Sequence, residues 1–371
     1  PVTELVTGQD LVEMMIRVAA EEKLSLTQDQ VTLTGWAMES RVYAEDPLRD
    51  FMPSTGRLVG YAEPQGEGVR VDSGVCEGGE VSMFYDPMIA KLITSGDNRN
   101  QAIERMVEAL DNYYIRGVNH NISFLNALMV HPRFIEGRLS TNFIADEFPD
   151  GFSADLVVHN DPDIALVVAA AAHQLSEERA SLVSNQLAGH EHIAAVDWVV
   201  VAGDQQTPVA VELIESGYLV SINNPDSTHK SSRDYTVETG WSLGEALFKA
   251  RVNGKSICVQ IESTATGYRL FYHGVEISAA VLSPRAAALS KHMLHKPPLD
   301  MSKFLLSPMP GLLSKLGVEV GQQVKEGEEL AVVEAMKMEN SLRASQDAVV
   351  AKITASEGDS LAVDEVILEF A

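Results

Sequence analysis

One lysine near the C-terminal end of the sequence stands between two methionines. Lys337 is flanked by Met336 and Met338 within the segment VVEAMKMENS, residues 332–341. Methionine side chains are flexible and apolar, so they offer an adaptable surface to another protein. A solvated lysine in a β-turn is the ordinary alternative. The two readings are separated by the sequence that surrounds the lysine.

An internal repeat surrounds Lys337. Residues 312–330 (LLSKLGVEVGQQVKEGEEL) align with residues 349–367 (VVAKITASEGDSLAVDEVI) at an offset of about 37 residues. Each unit is too small to bury its own apolar face, so we expect the two to pack as a pseudo-symmetric pair of sheets. The segment EAMKMEN lies between the units and is predicted to be a hairpin with Lys337 at its tip. A lysine presented in this way suits the covalent attachment of a swinging cofactor.

A second candidate is an arginine in a strand-like segment, ESRVYAED. Period-2 alternation places Glu39, Arg41, Tyr43 and Glu45 on one strand face. A guanidinium is permanently charged and carries a rigid fork of donors, so Arg41 could stabilise a developing oxyanion. From the residues alone, an arginine paired with Glu39 or Glu45 on a solvated face is the alternative.

Two weaker patterns predict no site. QGEGVR and CEGGE resemble phosphate loops only superficially, because Glu67, Glu77 and Glu80 would repel phosphate; we interpret them as hairpin turns. The histidine pairs of HEH (residues 190–192) and HMLH (residues 292–295) have no third ligand at metal spacing, so no metal site is predicted.

Composition restricts the class of partner and the compartment. The chain has 371 residues, 45% of them hydrophobic, and a formal net charge of −25. This excess of carboxylates argues against nucleic acid and against an anionic membrane surface as partners. The longest apolar run, residues 164–172, is too short to span a bilayer. Cys76 and Cys258 match no disulfide or zinc spacing, so we expect two buried thiols in a reducing, intracellular compartment.

The chain divides into three predicted domains and a linker. Residues 1–150 show an α+β pattern, with a helix near 8–22 and a strand-like run over 30–45. Residues 151–292 open with a long helix, with Asp161 as its N-cap and Pro162 as its first helical residue. Many short strands follow, which predicts a small barrel or curled sheet around that helix, with strand edges that can pair with a partner. Residues 293–303 are a predicted linker, and residues 304–371 hold the repeat.

The repeat and its lysine resemble the biotinyl carrier domains. The signature Ala-Met-Lys-Met of that family is present as Ala335, Met336, Lys337 and Met338, and SPMPG (residues 307–311) resembles the segment that leads into the domain. Lipoyl domains share the fold but carry Asp-Lys-Ala at the hairpin. The resemblance implies biotin attached to Lys337 by a biotin protein ligase.

The first domain resembles the C-terminal subdomain of biotin carboxylases. The resemblance rests on AMESRVYAEDP (37–47), FMPSTGRL (51–58) and FYDPMIAKLI (84–93). It implies that Arg41 contacts biotin and bicarbonate. In the family, the main ligands for ATP, Mg²⁺ and bicarbonate precede the Pro-Val-Thr-Glu at which this sequence begins. We therefore expect this chain to lack the ATP site and to be inactive by itself.

Together these segments resemble the C-terminal part of the α-subunit of a biotin-dependent acyl-CoA carboxylase, a multisubunit ligase. Residues 113–125 and 140–152 resemble the propionyl-CoA carboxylase branch in particular. The implied fold is multidomain α+β: the end of an ATP-grasp biotin carboxylase, a β-barrel-like middle (BT-like) domain around a long helix, and a flattened pseudo-symmetric all-β biotinyl (lipoyl-like) domain. The middle domain is implied to bind the carboxyltransferase β-subunit in a hetero-oligomer.

The resemblance also implies a reaction. ATP and bicarbonate carboxylate the biotin on Lys337, and the β-subunit transfers the carboxyl group to propionyl-CoA to give methylmalonyl-CoA. The alternatives are a subunit of methylcrotonyl-CoA or acetyl-CoA carboxylase, or a non-catalytic biotinyl carrier or assembly protein. The expected location is the cytoplasm in a bacterium and the mitochondrial matrix in a eukaryote.

Overall fold

The structure, a computed structural model, describes residues 1–82, 84–149, 151–153, 162–223, 232–293, 301, 303–335 and 338–371. Three bodies follow one another along the chain. They are a mixed α/β region, a closed β-barrel with a long helix, and a body of two small sheets. This order agrees with the predicted multidomain α+β architecture. In the described part of the chain, no helix is both long and apolar enough to cross a membrane.

The first region is built on a three-stranded antiparallel sheet in the order β1-β8-β6. Its helices are α1 (Val2–Thr7), α2 (Leu11–Ala19), α3 (Arg99–Asn112), α4 (Ile122–Val130), α5 (Pro132–Ile135) and α6 (Phe143–Glu147). Its strands are β1 (Trp36–Tyr43), β2 (Glu45–Asp46), β3 (Met52–Pro53), β4 (Gly56–Arg57), β5 (Gly60–Ala62), β6 (Val69–Ser73), β7 (Glu80–Val81), β8 (Met88–Gly96) and β9 (Tyr114–Arg116). Helix α3 packs on β8 and buries Met106 and Leu110 there, so the sheet has a rigid support.

The start of the chain differs from its prediction. The predicted helix near 8–22 is α2, but an additional helix, α1, precedes it over residues 2–7, and the left-handed Gly8 (φ 68°) separates the two. The predicted strand run over 30–45 is also too long, because β1 begins only at Trp36. Gly35 (φ 68°) lies against the carbonyl oxygen of Gly96, where a Cβ atom would come within 2.7 Å. The chain therefore enters the sheet through a turn that favours glycine.

The second body is an eight-stranded closed barrel with one long helix. Its elements are α7 (Asp163–Ser181), β10 (Asp197–Ala202), β11 (Gln205–Ile214), β12 (Gly217–Asn223), β13 (Ser232–Thr239), β14 (Leu247–Val252), β15 (Lys255–Ser263), β16 (Tyr268–Tyr272), β17 (Val275–Leu282) and α8 (Pro284–Ser290). The strands and helix were predicted correctly. The predicted N-cap Asp161 lies outside the described residues, and Pro162 holds the cap position instead of the first helical one.

Helix α7 fits the barrel because its centre is made of small side chains. Residues 169–172, all alanine, are completely buried among barrel side chains such as Val200, Val220 and Leu270. Strand β10 pairs with β17 and closes the ring. No free edge is therefore left among the described barrel strands, and the prediction that strand edges take a partner is wrong.

The joint between the first region and the barrel is buried and polar. Asp111 at the end of α3 accepts a hydrogen bond from the backbone N–H of His273 (3.0 Å), and its Oδ2 lies 3.1 Å from the His273 ring. Burial raises the pKa of Asp111, and the His273 contacts oppose that rise. Nearby, Arg116 pairs with Glu262 of the barrel and lies over the Phe271 ring. These contacts fix the two bodies together.

The third body consists of two four-stranded sheets, in the orders β18-β25-β23-β20 and β22-β21-β19-β24. The strands are β18 (Phe304–Leu306), β19 (Gly311–Leu316), β20 (Gln323–Val324), β21 (Glu329–Ala335), β22 (Met338–Arg343), β23 (Ala348–Ile353), β24 (Ser360–Leu361) and β25 (Val366–Phe370). In the sequence repeat, β18 to β21 correspond in order to β22 to β25. This correspondence maps the strand order of one sheet onto the strand order of the other. The predicted pseudo-symmetric pair is confirmed.

Two predictions about smaller features have different outcomes. Cys258 is buried, as expected, whereas Cys76 is exposed, so the prediction of two buried thiols is wrong for Cys76. It lies in the turn between β6 and β7, where little chain covers it. The predicted boundaries near 151 and the linker at 293–303 stay predictions, since residues 154–161 and 294–300 lie outside the described residues.

Candidate functional site

The end of strand β1 forms the floor of a groove. Ser40 and Val42 are buried beneath the strand, whereas the Arg41 side chain is 60% exposed. The groove has a volume of about 560 Å³. Its lining includes Glu39, Arg41, Tyr43, Glu45, Phe51 and Phe124. The four residues predicted to share a strand face all line this groove, but the prediction of one strand is wrong for Glu45, which lies on β2 and not on β1.

Charge and hydrogen bonding hold Arg41 in its cationic form at the groove. The pKa of Arg41 is raised, first by its hydrogen bond with Tyr43 and then by the nearby Glu39 carboxylate, whose Oε1 lies 3.6 Å from Arg41 Nε. The pKa of Glu45 is also raised, mainly by burial and further by Asp86. The Arg41 guanidinium therefore remains a permanent cation at the groove. Glu39 and Glu45 lie nearby, but neither forms a tight bidentate pair with it.

The groove wall on the other side is aromatic. The Phe51 ring packs edge-on against Phe124, with the ring centroids 4.8 Å apart. Asp50 and Phe51 both adopt positive φ values, 52° and 56°, which non-glycine residues seldom do. From the sequence, no role at the site was assigned to these residues. The one available signal was an apolar residue in the polar turn after Pro47.

The second candidate site is the hairpin of β21 and β22. Glu334 lies opposite Glu339, and Ala335 lies opposite Met338. Met336 and Lys337 stand between these paired residues in the sequence and lie outside the described residues. The pairing leaves only two residues to connect the strands, as in a tight β-hairpin. The predicted hairpin is present up to the two residues that would form its tip.

The segment SPMPG supports this hairpin from below. Met309 is almost completely buried, and its sulfur lies 3.4 Å from Nδ2 of Asn340 on β22. The Ser307 hydroxyl donates to the Met309 carbonyl at 2.7 Å. A Cβ atom on Gly311 would come within 2.6 Å of the Val333 side chain and 2.8 Å of the Glu334 carbonyl. Glycine is required here because β19, which begins at Gly311, pairs directly with β21 of the hairpin.

The weaker patterns have different outcomes. QGEGVR and CEGGE include turns, but the prediction of hairpin turns is wrong, because β5 pairs with β9, β6 with β8 and β7 with β4. His192 bonds to Glu177 at 2.8 Å, and His295 lies outside the described residues. Over the ranges that the structure describes, no group of three or more His, Cys, Asp and Glu side chains could hold a metal ion.

Comparison with known families assigns each body in turn. Residues 39–146 match the biotin carboxylase C-terminal domain, and residues 166–296 match the propionyl-coenzyme A carboxylase BT domain. Residues 304–370 match the family described as biotin-requiring enzyme. The Arg41 groove lies in the first match and the hairpin in the third.

Relatives match along the whole chain. It is 46% identical over 390 residues to the propionyl-CoA carboxylase alpha chain of Ruegeria pomeroyi, covering 100% of this chain and 56% of the relative. It is 37% identical over 385 residues to the mitochondrial human alpha chain, covering 100% and 50%. It is 31% identical over 370 residues to the mitochondrial methylcrotonoyl-CoA carboxylase subunit alpha of Dictyostelium discoideum, covering 94% and 50%.

The chain thus spans about half the length of the curated relatives it matches. Its three bodies occur in one order and match three families of the same kind of enzyme. The chain belongs to the α-subunits of the biotin-dependent acyl-CoA carboxylases and is similar over its full length to those of propionyl-CoA carboxylase.

Proposed function

We propose that this chain is the biotin-carrying part of a propionyl-CoA carboxylase α-subunit, with biotin on Lys337 and Arg41 at the biotin carboxylase site. The observation that carries the proposal is the pairing of Ala335 with Met338 between the two halves of a symmetric carrier. ATP, Mg²⁺ and bicarbonate are the proposed co-reactants of the whole subunit. Carboxylation of propionyl-CoA is proposed for the complex with a carboxyltransferase β-subunit.

The Arg41 groove fits the chemistry of biotin. Bound biotin supplies a ureido nitrogen that accepts a carboxyl group, and negative charge develops on the ureido oxygen. The exposed Arg41 guanidinium offers donors for that oxygen or for bicarbonate, while Phe51 and Phe124 provide an apolar wall for the ring system. Glu39 lies beside the guanidinium, with its Oε1 3.6 Å from Arg41 Nε.

The carrier fits a lysine that must be reached by two enzymes. The strands that flank the tip are held by a buried core that includes Val333, Ala335 and Met309. This core holds both strands where they lead into the segment that carries Lys337. We propose that a biotin protein ligase attaches biotin there, and that the attached group serves both the biotin carboxylase site and the β-subunit.

Replacing Lys337 tests the attachment. We expect Lys337→Arg to remove all biotin, as seen by intact mass and by streptavidin blotting, because arginine cannot form the amide. The matched control is Lys315→Arg, at an exposed lysine of the same body that pairs with Glu329 at 3.2 Å. Streptavidin signal that persists in Lys337→Arg would refute the assignment.

The acyl substrate is proposed from the relatives, and a second candidate has support of its own. The relative from Dictyostelium discoideum is named for methylcrotonoyl-CoA. Acyl selection belongs to the β-subunit, so purification of this subunit with its partner, followed by assays on propionyl-CoA, methylcrotonyl-CoA and acetyl-CoA, decides between them. The compartment is proposed as the mitochondrial matrix in a eukaryote and the cytoplasm in a bacterium.

The barrel is the proposed dock for the β-subunit. Since the ring is closed, docking must use side chains and not strand pairing. The connection from α7 to β10 exposes five large apolar side chains, an uncommon density for a solvated loop. They are Leu182, Val183, Leu187, Ile193 and Val196.

Deletion and substitution test this dock. Removal of residues 160–290 should abolish the complex and leave Lys337 biotinylated, because the carrier has its own cores. The pair Leu187→Asp and Ile193→Asp should weaken the complex at least tenfold, since the charges would have to be desolvated. Val320→Asp, at an exposed carrier residue, is the control. Unchanged β-subunit affinity in the deletion would place docking elsewhere.

A further inference from the structure

A buried asparagine in the loop before α4 is bonded to the strand that carries Arg41. Asn121 Nδ2 donates to the Arg41 carbonyl at 3.2 Å, and the Tyr43 N–H donates to Asn121 Oδ1 at 3.0 Å. The backbone N–H of Asn121 donates to the Tyr43 carbonyl at 3.1 Å. One residue thus makes three hydrogen bonds to the two residues on either side of Val42.

These bonds are made to a part of β1 that has few hydrogen bonds to other strands. Strand β1 is at the edge of its sheet, with β8 on one side only. Its register with β8 shifts between Val42 and Tyr43, because β8 has one extra residue there: Val42 pairs with Ala90 and Tyr43 with Met88. A bulge in the partner strand disrupts the ladder that supports β1 at this point. The Asn121 carboxamide bonds to β1 at that disruption and holds the strand there.

Asn121 does not act as a side-chain cap for helix α4. It stands at the N-cap of α4, a position where asparagine often bonds to the first turn of the helix. Here its side chain makes no cap bond. Both polar atoms of the carboxamide instead bond to β1, and the residue is only 6% exposed. Helix capping therefore does not explain asparagine at this position.

We propose that Asn121 is a positioning residue for Arg41. It fixes the backbone from Arg41 to Tyr43 and so aims the guanidinium into the groove for biotin carboxylation. The inference rests on the proposed role of Arg41 and extends it to a residue about 80 positions away in sequence. Asn121 also lines the groove, but both polar atoms of its side chain are bonded to the β1 backbone, so its proposed role is to position Arg41.

The test uses the full-length subunit in its complex with the β-subunit. The assay is ATP hydrolysis that depends on both free biotin and bicarbonate. Asn121→Asp keeps the shape and the acceptor for Tyr43 but replaces the donor facing the Arg41 carbonyl with an acceptor. We expect kcat/KM for free biotin to fall roughly 10- to 100-fold, as for a small misplacement of a catalytic group, with KM for ATP unchanged.

The matched control is Asn126→Ala. Asn126 is equally buried on the same helix, but its amide donates to Asp111 at 3.1 Å and not to β1. We expect a similar loss of thermal stability with far less loss of biotin carboxylation. Should Asn121→Asp fail to fold, Asn121→Ser, which keeps one hydrogen-bonding atom, takes its place in every comparison.

The decisive measurement is a double-mutant cycle with Arg41→Ala. If Asn121 acts through Arg41, Asn121→Asp should lower the residual rate of Arg41→Ala by less than twofold. An equal fall in both backgrounds, or an equal fall in Asn126→Ala, would overturn the proposal and leave Asn121 a purely structural residue. A normal rate in Arg41→Ala alone would refute the proposed function of Arg41 first, and the positioning role with it.

Discussion

The biotinyl hairpin and the Arg41 groove are held in place in opposite ways. The hairpin depends on neighbours close in sequence: Ala335 faces Met338, and Asn340 contacts Met309 within 31 positions. The end of β1 depends on Asn121, which is 78 and 80 positions from the two residues it bonds. In the proposed function the hairpin moves between sites, and it is built from local sequence. The Arg41 groove is proposed to hold a guanidinium in a fixed direction, and it is assembled from distant parts of one body.

The joints between the bodies show the same contrast. The first region and the barrel are joined through buried Asp111 and half-buried Arg116 and Glu262. The carrier touches the first region through Met52 and an exposed pair between Arg49 and Asp364, 3.4 Å apart. The carrier contact is therefore the weaker of the two joints.

Replacing Arg41 should have the largest effect on catalysis. In the full-length subunit, we expect Arg41→Ala to lower biotin carboxylation on the order of 10²-fold or more, as for loss of one oxyanion donor. Thermal stability should change little, because the side chain is largely exposed. The measurement is biotin-dependent ATP hydrolysis, with Lys337 biotinylation as an internal check that the carrier is intact.

The control for that variant is another arginine of the same region. Arg57 lies on β4 and donates to the Gly78 carbonyl at 3.1 Å, outside the groove. Arg57→Ala should retain nearly full activity. If Arg57→Ala and Arg41→Ala lost activity equally, Arg41 would have no special role compared with other arginines of the first region.

What the sequence could predict follows this contrast. The strands of the carrier, the hairpin and the eight barrel strands were predicted because alternation, turn residues and the repeat are short-range signals. The common face of Glu39, Arg41 and Tyr43 was predicted for the same reason. The contacts of Asn121 and the aromatic wall at Phe51 were missed, and the choice between a closed barrel and a curled sheet was left open. They depend on long-range packing, which periodicity does not encode.

Acid should weaken the rigid part of the molecule through His120, which adjoins Asn121. Burial, with a further contribution from Arg116, lowers the pKa of His120 to about 4 from the ordinary 6.5. Because the folded pKa is lower than the unfolded one, the stabilisation is present above pH 6.5 and is lost as pH falls to about 4. The whole shift corresponds to at most about 3 kcal/mol.

Urea unfolding at pH 7 and pH 4.5 measures this effect. His120→Gln cannot be protonated, so its stability should change less between the two pH values than that of the unmodified chain. His190→Gln, at an exposed histidine, should keep the full pH dependence. Identical pH dependence in all three proteins would exclude His120 as the source.

Loss of Arg116 should weaken the joint between the first region and the barrel. Its guanidinium pairs with Glu262 and lies 4.7 Å from the Tyr114 ring and 4.5 Å from the Phe271 ring. Arg116→Ala should reduce the free energy of unfolding by on the order of 2 kcal/mol, between the values for exposed and fully buried pairs. Arg269→Ala is the control, because Arg269 pairs with the same carboxylate from a more exposed position.

The smallest effect is expected at the contact of the carrier. Arg49 and Asp364 are both about half exposed, so solvent and salt screen their attraction, and such pairs contribute roughly 0.2–1 kcal/mol. A carrier that serves two sites has to leave each of them, and a strong contact here would slow that movement. The double-mutant cycle of Arg49→Ala with Asp364→Ala should therefore give a coupling energy below about 1 kcal/mol, and turnover of propionyl-CoA should stay within twofold. A larger coupling that persists at high salt would mean that the carrier is docked as firmly as the barrel, and the contrast between the two joints would fail.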